Sequence, residues 1–180
     1  MTNKHLRQTI NLLITGPHGS GTTEFIHAIS QIEVPSGFGV DFGYVDIDDE
    51  LRVTLFGKQL ESQLAVVELS ILVETILGFA LIVDSTDPET FTRAKALRDA
   101  VLEQKMLPYV VAANKQDLAG ALPVETLRQA LDIAPAIAVL PCVATDHESA
   151  KEVLLSLINA ILDDFEPGNQ TPTVPPKLAD

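Results

Sequence analysis

Apolar residues in this chain fall into short, nearly unbroken runs that alternate with stretches where they recur every three or four positions. Ile10–Ile14, Phe79–Val83 and Tyr109–Ala113 are runs of the first kind, as expected of strands buried on both faces. Val40–Ile47 and Leu51–Phe56 read as a hairpin joined through Asp48-Asp49-Glu50, and Ile137–Leu140 is a last strand. Helical spacing covers about Thr22 to Gln31, then Glu89–Met106, Pro123–Leu131 and Ser149–Leu162. In the second of these helices Phe91, Ala94, Leu97, Val101 and Leu102 share a stripe; in the last, Val153, Leu154, Leu157 and Ile161 do. Asp84-Ser85-Thr86-Asp87-Pro88, directly after an apolar run, is a turn and helix-start signal. Strands separated by helices imply an α/β fold with a doubly wound, mainly parallel sheet covered on both sides. Six strands are expected, the acidic hairpin supplying one antiparallel edge strand. Ligands of such sheets sit at the carboxyl ends of the strands.

Composition narrows this frame. A chain of 180 residues suits one compact domain, and 46% hydrophobic with 21% charged residues is ordinary for a globule. A net charge of −13 argues against a nucleic-acid surface, which needs clustered Lys and Arg, and against docking on anionic lipid. The longest membrane candidate, Leu64–Val83, is interrupted by Glu68, Ser70, Glu74 and Thr75. Met1–Gln8 is polar without an apolar signal core, and neither end carries a lipid-anchor pattern. Cys142 is the only cysteine, which excludes an internal disulfide and points to a reducing cytoplasm. It reads as a small buried residue rather than a nucleophile. Glu166–Asp180 contains Pro167, Pro172, Pro175 and Pro176 and hardly any large apolar residue, so a disordered tail is expected. That tail is either a solvated terminus or a peptide for a groove on a partner. The expected organisation is an N-terminal extension over 1–8, one domain over 9–165 and the proline-rich tail over 166–180.

The first candidate chemistry follows Ile10–Ile14. Gly16-Pro17-His18-Gly19-Ser20-Gly21-Thr22-Thr23 lies between that strand and a helix. Glycines let successive amides curl around an anion, and a helix N-terminus adds its dipole. The usual phosphate loop, G-x-x-x-x-G-K-[ST], carries a lysine that reaches the β- and γ-phosphates and then a hydroxyl that holds Mg²⁺. Here Thr22 stands at the lysine position, while Thr23 keeps the metal-ligand hydroxyl. A lost charge-assisted hydrogen bond is worth about 1.5–3 kcal/mol, so nucleotide affinity would fall roughly 10- to 150-fold without vanishing. His18 is either an exposed loop histidine or a partial replacement for the missing charge. A strand–helix turn that binds nothing is the plainer alternative for the whole loop.

The second candidate follows Tyr109–Ala113. Asn114-Lys115-Gln116-Asp117 sets a carboxylate, an amide and a long aliphatic stem at the end of a buried strand. Guanine presents N1–H and an exocyclic amine as adjacent donors, which Asp117 can accept together; Asn114 can tie neighbouring loops, and Lys115 can lay its stem over the purine face. The alternative is a polar loop capping the next helix. In Cys142-Val143-Ala144-Thr145-Asp146, after the last strand, a backbone N–H could meet the guanine carbonyl oxygen.

With these residues in place, the sequence resembles the bacterial Ras-like small GTPases, especially relatives of the gliding-polarity GTPase that work with Roadblock-type partners. The shared stretches are NLLITGPHGSGTTEFI, VDFGYVDID, LFG, LGFALIVDSTDPETF, PYVVAANKQDL and LPCVATDHES, spread over most of Asn11–Asp164. The resemblance implies a Ras-like P-loop G domain, GTP and GDP as ligands, Mg²⁺, and regulation through two switch segments. It also places departures from the family pattern. A threonine that binds Mg²⁺ in the first switch corresponds to Gly37, with Ser36 adjacent. The second switch, roughly L-[FY]-G-T-P-G-Q in the family, is Leu55-Phe56-Gly57-Lys58-Gln59-Leu60-Glu61 here. Leu60 replaces the glycine that meets the γ-phosphate, and Glu61 replaces the glutamine that orients the attacking water. Lys58 is either solvated or a compensating charge.

Four changes in one functional unit, at Thr22, Gly37, Leu60 and Glu61, lead to the expectation of a pseudo-GTPase: a guanine-nucleotide-binding signalling protein with weakened Mg²⁺ binding and little or no hydrolysis. Two alternatives stay open, a nucleotide-free interaction scaffold and an active GTPase completed by a partner's residue. The segment 57–77 is more apolar than a surface helix needs, which marks either a partner surface, for which the resemblance implies a Roadblock-type protein, or tight internal packing.

Overall fold

The computed structural model describes residues 8–30, 32–37, 40–58 and 74–165. The expected tail over 166–180, most of the N-terminal extension, and Leu60 and Glu61 of the second switch lie outside the described residues, as does most of the apolar segment 57–77.

The chain order is β1 (Gln8–Thr15), α1 (Thr22–Ile29), β2 (Ile32–Gly37), β3 (Val40–Asp46), β4 (Leu51–Lys58), β5 (Ile76–Asp84), a short 3-10 turn at Pro88–Thr90, α2 (Phe91–Gln104), β6 (Tyr109–Asn114), α3 (Val124–Ala130), β7 (Val139–Pro141) and α4 (His147–Phe165). One sheet holds all seven strands in the order β2-β3-β4-β1-β5-β6-β7. β1 lies parallel to β4 and β5, and β6 continues the parallel set to β7. β3 runs antiparallel to both β4 and β2. The architecture is the α/β, mainly parallel sheet with one antiparallel strand that the pattern implied. The seventh strand is β2, whose Pro35 and Gly37 read as loop signals. A proline is tolerated there because β2 is the edge strand of the described sheet, where a missing N–H removes no ladder bond.

Alternating side chains of each central strand enter two cores. Leu12 and Ile14 of β1, Ala80 and Ile82 of β5, and Val110 and Ala112 of β6 pack with Phe25, Ile26 and Ile29 of α1 and with Val153, Leu154, Leu157 and Ile161 of α4. Leu13, Phe79, Leu81, Val83, Val111 and Ala113 point the other way, against Phe91, Ala94 and Val101 of α2 and Leu127 of α3. Burial on both faces explains why these strands are apolar throughout. Arg98, itself buried, donates from Nη1 to the Leu131 carbonyl at 2.6 Å and ties α2 to the end of α3.

The chain leaves β1 for one side of the sheet through β2, β3 and β4, and crosses to the other side through β5, β6 and β7. The carboxyl end of β1 is therefore the point where the winding reverses, the place where open α/β sheets form a crevice.

Candidate functional site

The loop from Gly16 to Thr23 follows β1 at that crevice. Ser20 N–H donates to the Pro17 carbonyl at 3.1 Å, closing a turn that buries Ser20 and Thr22. Gly21 caps α1 with φ 101° and offers no side-chain hydrogen bond to the helix. A Cβ there would collide with the Asn114 side-chain amide, so this position requires glycine both for its left-handed backbone and for space. With no side chain capping α1, the amides of its first turn are left for an anion.

A cavity of about 270 Å³ opens beside this loop, lined by Gly19, Gly21, Glu24, Asn114, Lys115, Asp117, Leu118, Val143, Ala144 and Thr145. It unites three segments that the sequence pattern singled out separately. Gly16, His18, Ser20, Thr22 and Thr23 belong to the same loop but lie outside the cavity wall; His18 is exposed. Two wall residues, Glu24 and Leu118, had no sequence signal beyond adjacency to the loops.

Asn114, buried at the end of β6, joins the segments. Its Nδ2 donates to the Ser20 carbonyl at 2.7 Å, and its Oδ1 accepts the Ala144 N–H at 2.7 Å. Lys115 adopts φ 65° and donates from Nζ to Asp84 Oδ2 at 2.5 Å. Asp84 closes β5 directly across from Asn114. Burial alone would raise its carboxyl, but the bonds from Lys115 and from the hydroxyl and amide of Thr86 outweigh it and hold Asp84 below the usual carboxylate value. Gln116 Nε2 donates to Ser85 Oγ at 2.8 Å and to the Leu122 carbonyl at 3.0 Å. Asp117 is exposed, and its carboxylate accepts no hydrogen bond from any described residue.

In the loop after β7, the Val143 N–H is taken by Ser149 Oγ at 2.9 Å and the Asp146 N–H by the Val143 carbonyl at 2.8 Å. With the Ala144 N–H held by Asn114, the Thr145 N–H is the amide of this stretch that keeps no acceptor among the described residues. Cys142, just before it, is buried, and its thiol is pushed up to about 11, so it packs as a neutral thiol.

Of the metal and switch positions, Thr23 donates its hydroxyl to Asp41 Oδ2 at 2.5 Å, a contact with no counterpart in the sequence pattern. Gly37 pairs with Val40 at the end of β2, and Lys58 pairs with Thr15 just before the Gly16–Thr23 loop. No group of three or more His, Cys, Asp or Glu able to hold a metal occurs among the described residues. No helix among them is long and apolar enough to cross a membrane.

No family model matches the sequence. The structure is similar to that of the Arl6 BBS3 small GTPase from Trypanosoma brucei, solved with a bound nucleotide analogue, GppNp. The match has a TM-score of 0.71 at 17% identity and covers 87% of this chain and 99% of that one. At that identity the likeness speaks to architecture, and on that ground the chain has the Ras-like fold of the small GTPases.

Proposed function

We propose that this protein is a guanine-nucleotide-binding regulatory protein, with GTP and GDP as ligands and hydrolysis impaired or absent. One contrast within Asn114-Lys115-Gln116-Asp117 carries the reading. Three of these side chains serve the scaffold: Asn114 clamps two loops, Lys115 pairs with Asp84, and Gln116 bonds Ser85 and Leu122. Asp117 has no such partner among the described residues, yet it stands in the cavity wall. A carboxylate with no architectural duty is accounted for by a ligand bearing two adjacent donors, and guanine has that pair. The open Thr145 amide on the same wall suits the guanine carbonyl.

Mg²⁺ fits the oxygen donors at the loop's end, since it retains several waters and takes one or two protein oxygens together with phosphate oxygens. Thr23 would hold it, and the ion would neutralise phosphate charge that no lysine at position 22 offsets. Weak hydrolysis follows from the chemistry of Thr22, Gly37, Leu60 and Glu61 at the positions that the family resemblance assigns to phosphate and water. The apolar segment 57–77 is the proposed contact for a protein partner of Roadblock type in the cytoplasm.

The test is titration of fluorescent GDP and ADP derivatives with and without Mg²⁺, on protein freed of copurified nucleotide. Guanosine selectivity, with single-turnover GTP cleavage far below an ordinary GTPase rate, supports the proposal. A second reading, the nucleotide-free scaffold, draws on Glu24 and Asp41, acidic groups close to a loop that has lost its lysine. Lack of any preference for GDP over ADP at millimolar concentration would establish the scaffold instead.

A further inference from the structure

We infer that Glu24 fits this cavity to the nucleoside end of its ligand, so that guanosine and its monophosphate bind ahead of the di- and triphosphate; this rests on the nucleotide reading above and ranks the ligands within it. Glu24 lies in the first turn of α1 and also in the cavity wall, at the junction between that wall and the Gly16–Thr23 loop. It is exposed, and its carboxylate accepts no hydrogen bond from any described residue. The wall thus holds two carboxylates with no partner among the described residues, Glu24 and Asp117. An ionised carboxylate can only accept, so each calls for a donor on the ligand. Guanosine has two donor pairs, the N1–H with the exocyclic amine and the 2′- and 3′-hydroxyls of its ribose. Asp117 suits the first pair and Glu24 the second. Acidic side chains read ribose hydroxyls in the same way in dinucleotide-binding folds.

A phosphate meets the opposite chemistry. It brings acceptors and negative charge, and the first-turn amides that would draw it lie in the turn that carries Glu24. The Gly16–Thr23 loop contains no lysine or arginine. Lys115 is the one lysine or arginine among the described wall residues, and its ammonium is already held by Asp84 at 2.5 Å. Each phosphate added to guanosine therefore sets new charge against Glu24, with no unpaired ammonium or guanidinium among the described wall residues to offset it. For exposed groups a few ångströms apart, that repulsion is worth about fivefold in affinity for each unit of charge.

The experiment is calorimetric titration of guanosine, GMP, GDP and 2′-deoxyguanosine, all in EDTA, into the unaltered protein, Glu24→Gln and Glu24→Ala. The unaltered protein should bind GMP more tightly than GDP by about fivefold, and the gap should shrink in high salt as screening grows. Glu24→Gln keeps the shape and removes the charge, so GDP should gain about fivefold or more while guanosine changes less. Glu24→Ala removes the acceptor as well. The preference for guanosine over 2′-deoxyguanosine, about tenfold in the unaltered protein, should vanish in it. Tighter binding of GDP than of guanosine, or a GDP-to-guanosine ratio that Glu24→Gln leaves unchanged, overturns this inference and leaves the nucleotide reading standing. Guanosine bound no better than adenosine by the unaltered protein overturns both.

Discussion

The side-chain amide of Asn114 donates to the Ser20 carbonyl at 2.7 Å, spanning 94 positions of sequence to hold the Gly16–Thr23 loop against the end of β6. The bond is buried, and the opposite end of the same amide holds Ala144. Asn114→Ala leaves a carbonyl and an N–H unpaired, each worth about 1–3 kcal/mol when buried. Chemical denaturation should show a loss of about 2–4 kcal/mol, and GDP binding should disappear at concentrations that saturate the unaltered protein.

Asp117 predicts the reverse pattern, because its carboxylate bonds no described residue. Asp117→Ala should leave the unfolding midpoint within about 0.5 kcal/mol of the original, as for ordinary surface changes. GDP affinity should fall roughly 10- to 150-fold, the worth of a charge-assisted bond, while the weak ADP affinity stays unchanged. Selectivity for GDP over inosine diphosphate, which lacks the exocyclic amine, should vanish in the same variant. Calorimetric titration measures all three.

Thr22→Lys tests the missing cation. Thr22 is buried beside Ser20, whose hydroxyl lies 3.3 Å from its own, and lysine here restores the residue of the usual phosphate-loop pattern. Affinity for GDP should rise on the order of tenfold. The gain should be larger in EDTA than in Mg²⁺, since a fixed ammonium matters most where no divalent ion shares the charge.

The Asp84–Lys115 pair predicts a pH signature. The carboxyl of Asp84 is held below its usual value, so its contribution is complete above the ordinary carboxylate range and is lost as pH falls through the lowered value. Asp84→Asn should therefore be less stable than the unaltered protein at pH 7. The gap should narrow below about pH 4, where the reference carboxyl begins to take its proton. Urea denaturation across that range gives the comparison.

Much of this was legible in the chain. Ile10–Ile14, Phe79–Val83 and Tyr109–Ala113 are strands because each lies in the middle of the sheet and buries both faces, and that leaves a strong apolar signature. The stripes of α2 and α4 were plain for the same reason. β2 was not, since an edge strand tolerates Pro35 and has little need of apolar residues. The helix α1 ends at Ile29 rather than near Gln31, because Ser30 turns the backbone into the extended region and β2 begins at Ile32. Within the site, Gly16–Thr23 and Asn114–Asp117 were visible because local spacing defines them. Asp41 at Thr23 and Asp84 at Lys115 were not: strand register brings them together, over separations of 18 and 31 positions that carry no local pattern.

The leash between Lys115 and Asp84 bears on how tightly a small molecule can be held. A free lysine surrenders rotamer entropy worth up to about 2 kcal/mol when it is pinned. Here folding has already immobilised the aliphatic stem, because the ammonium is anchored at 2.5 Å on the far side of the cavity wall. A flat ring sliding against that stem meets a surface set in advance, so its arrival spends little on ordering the protein.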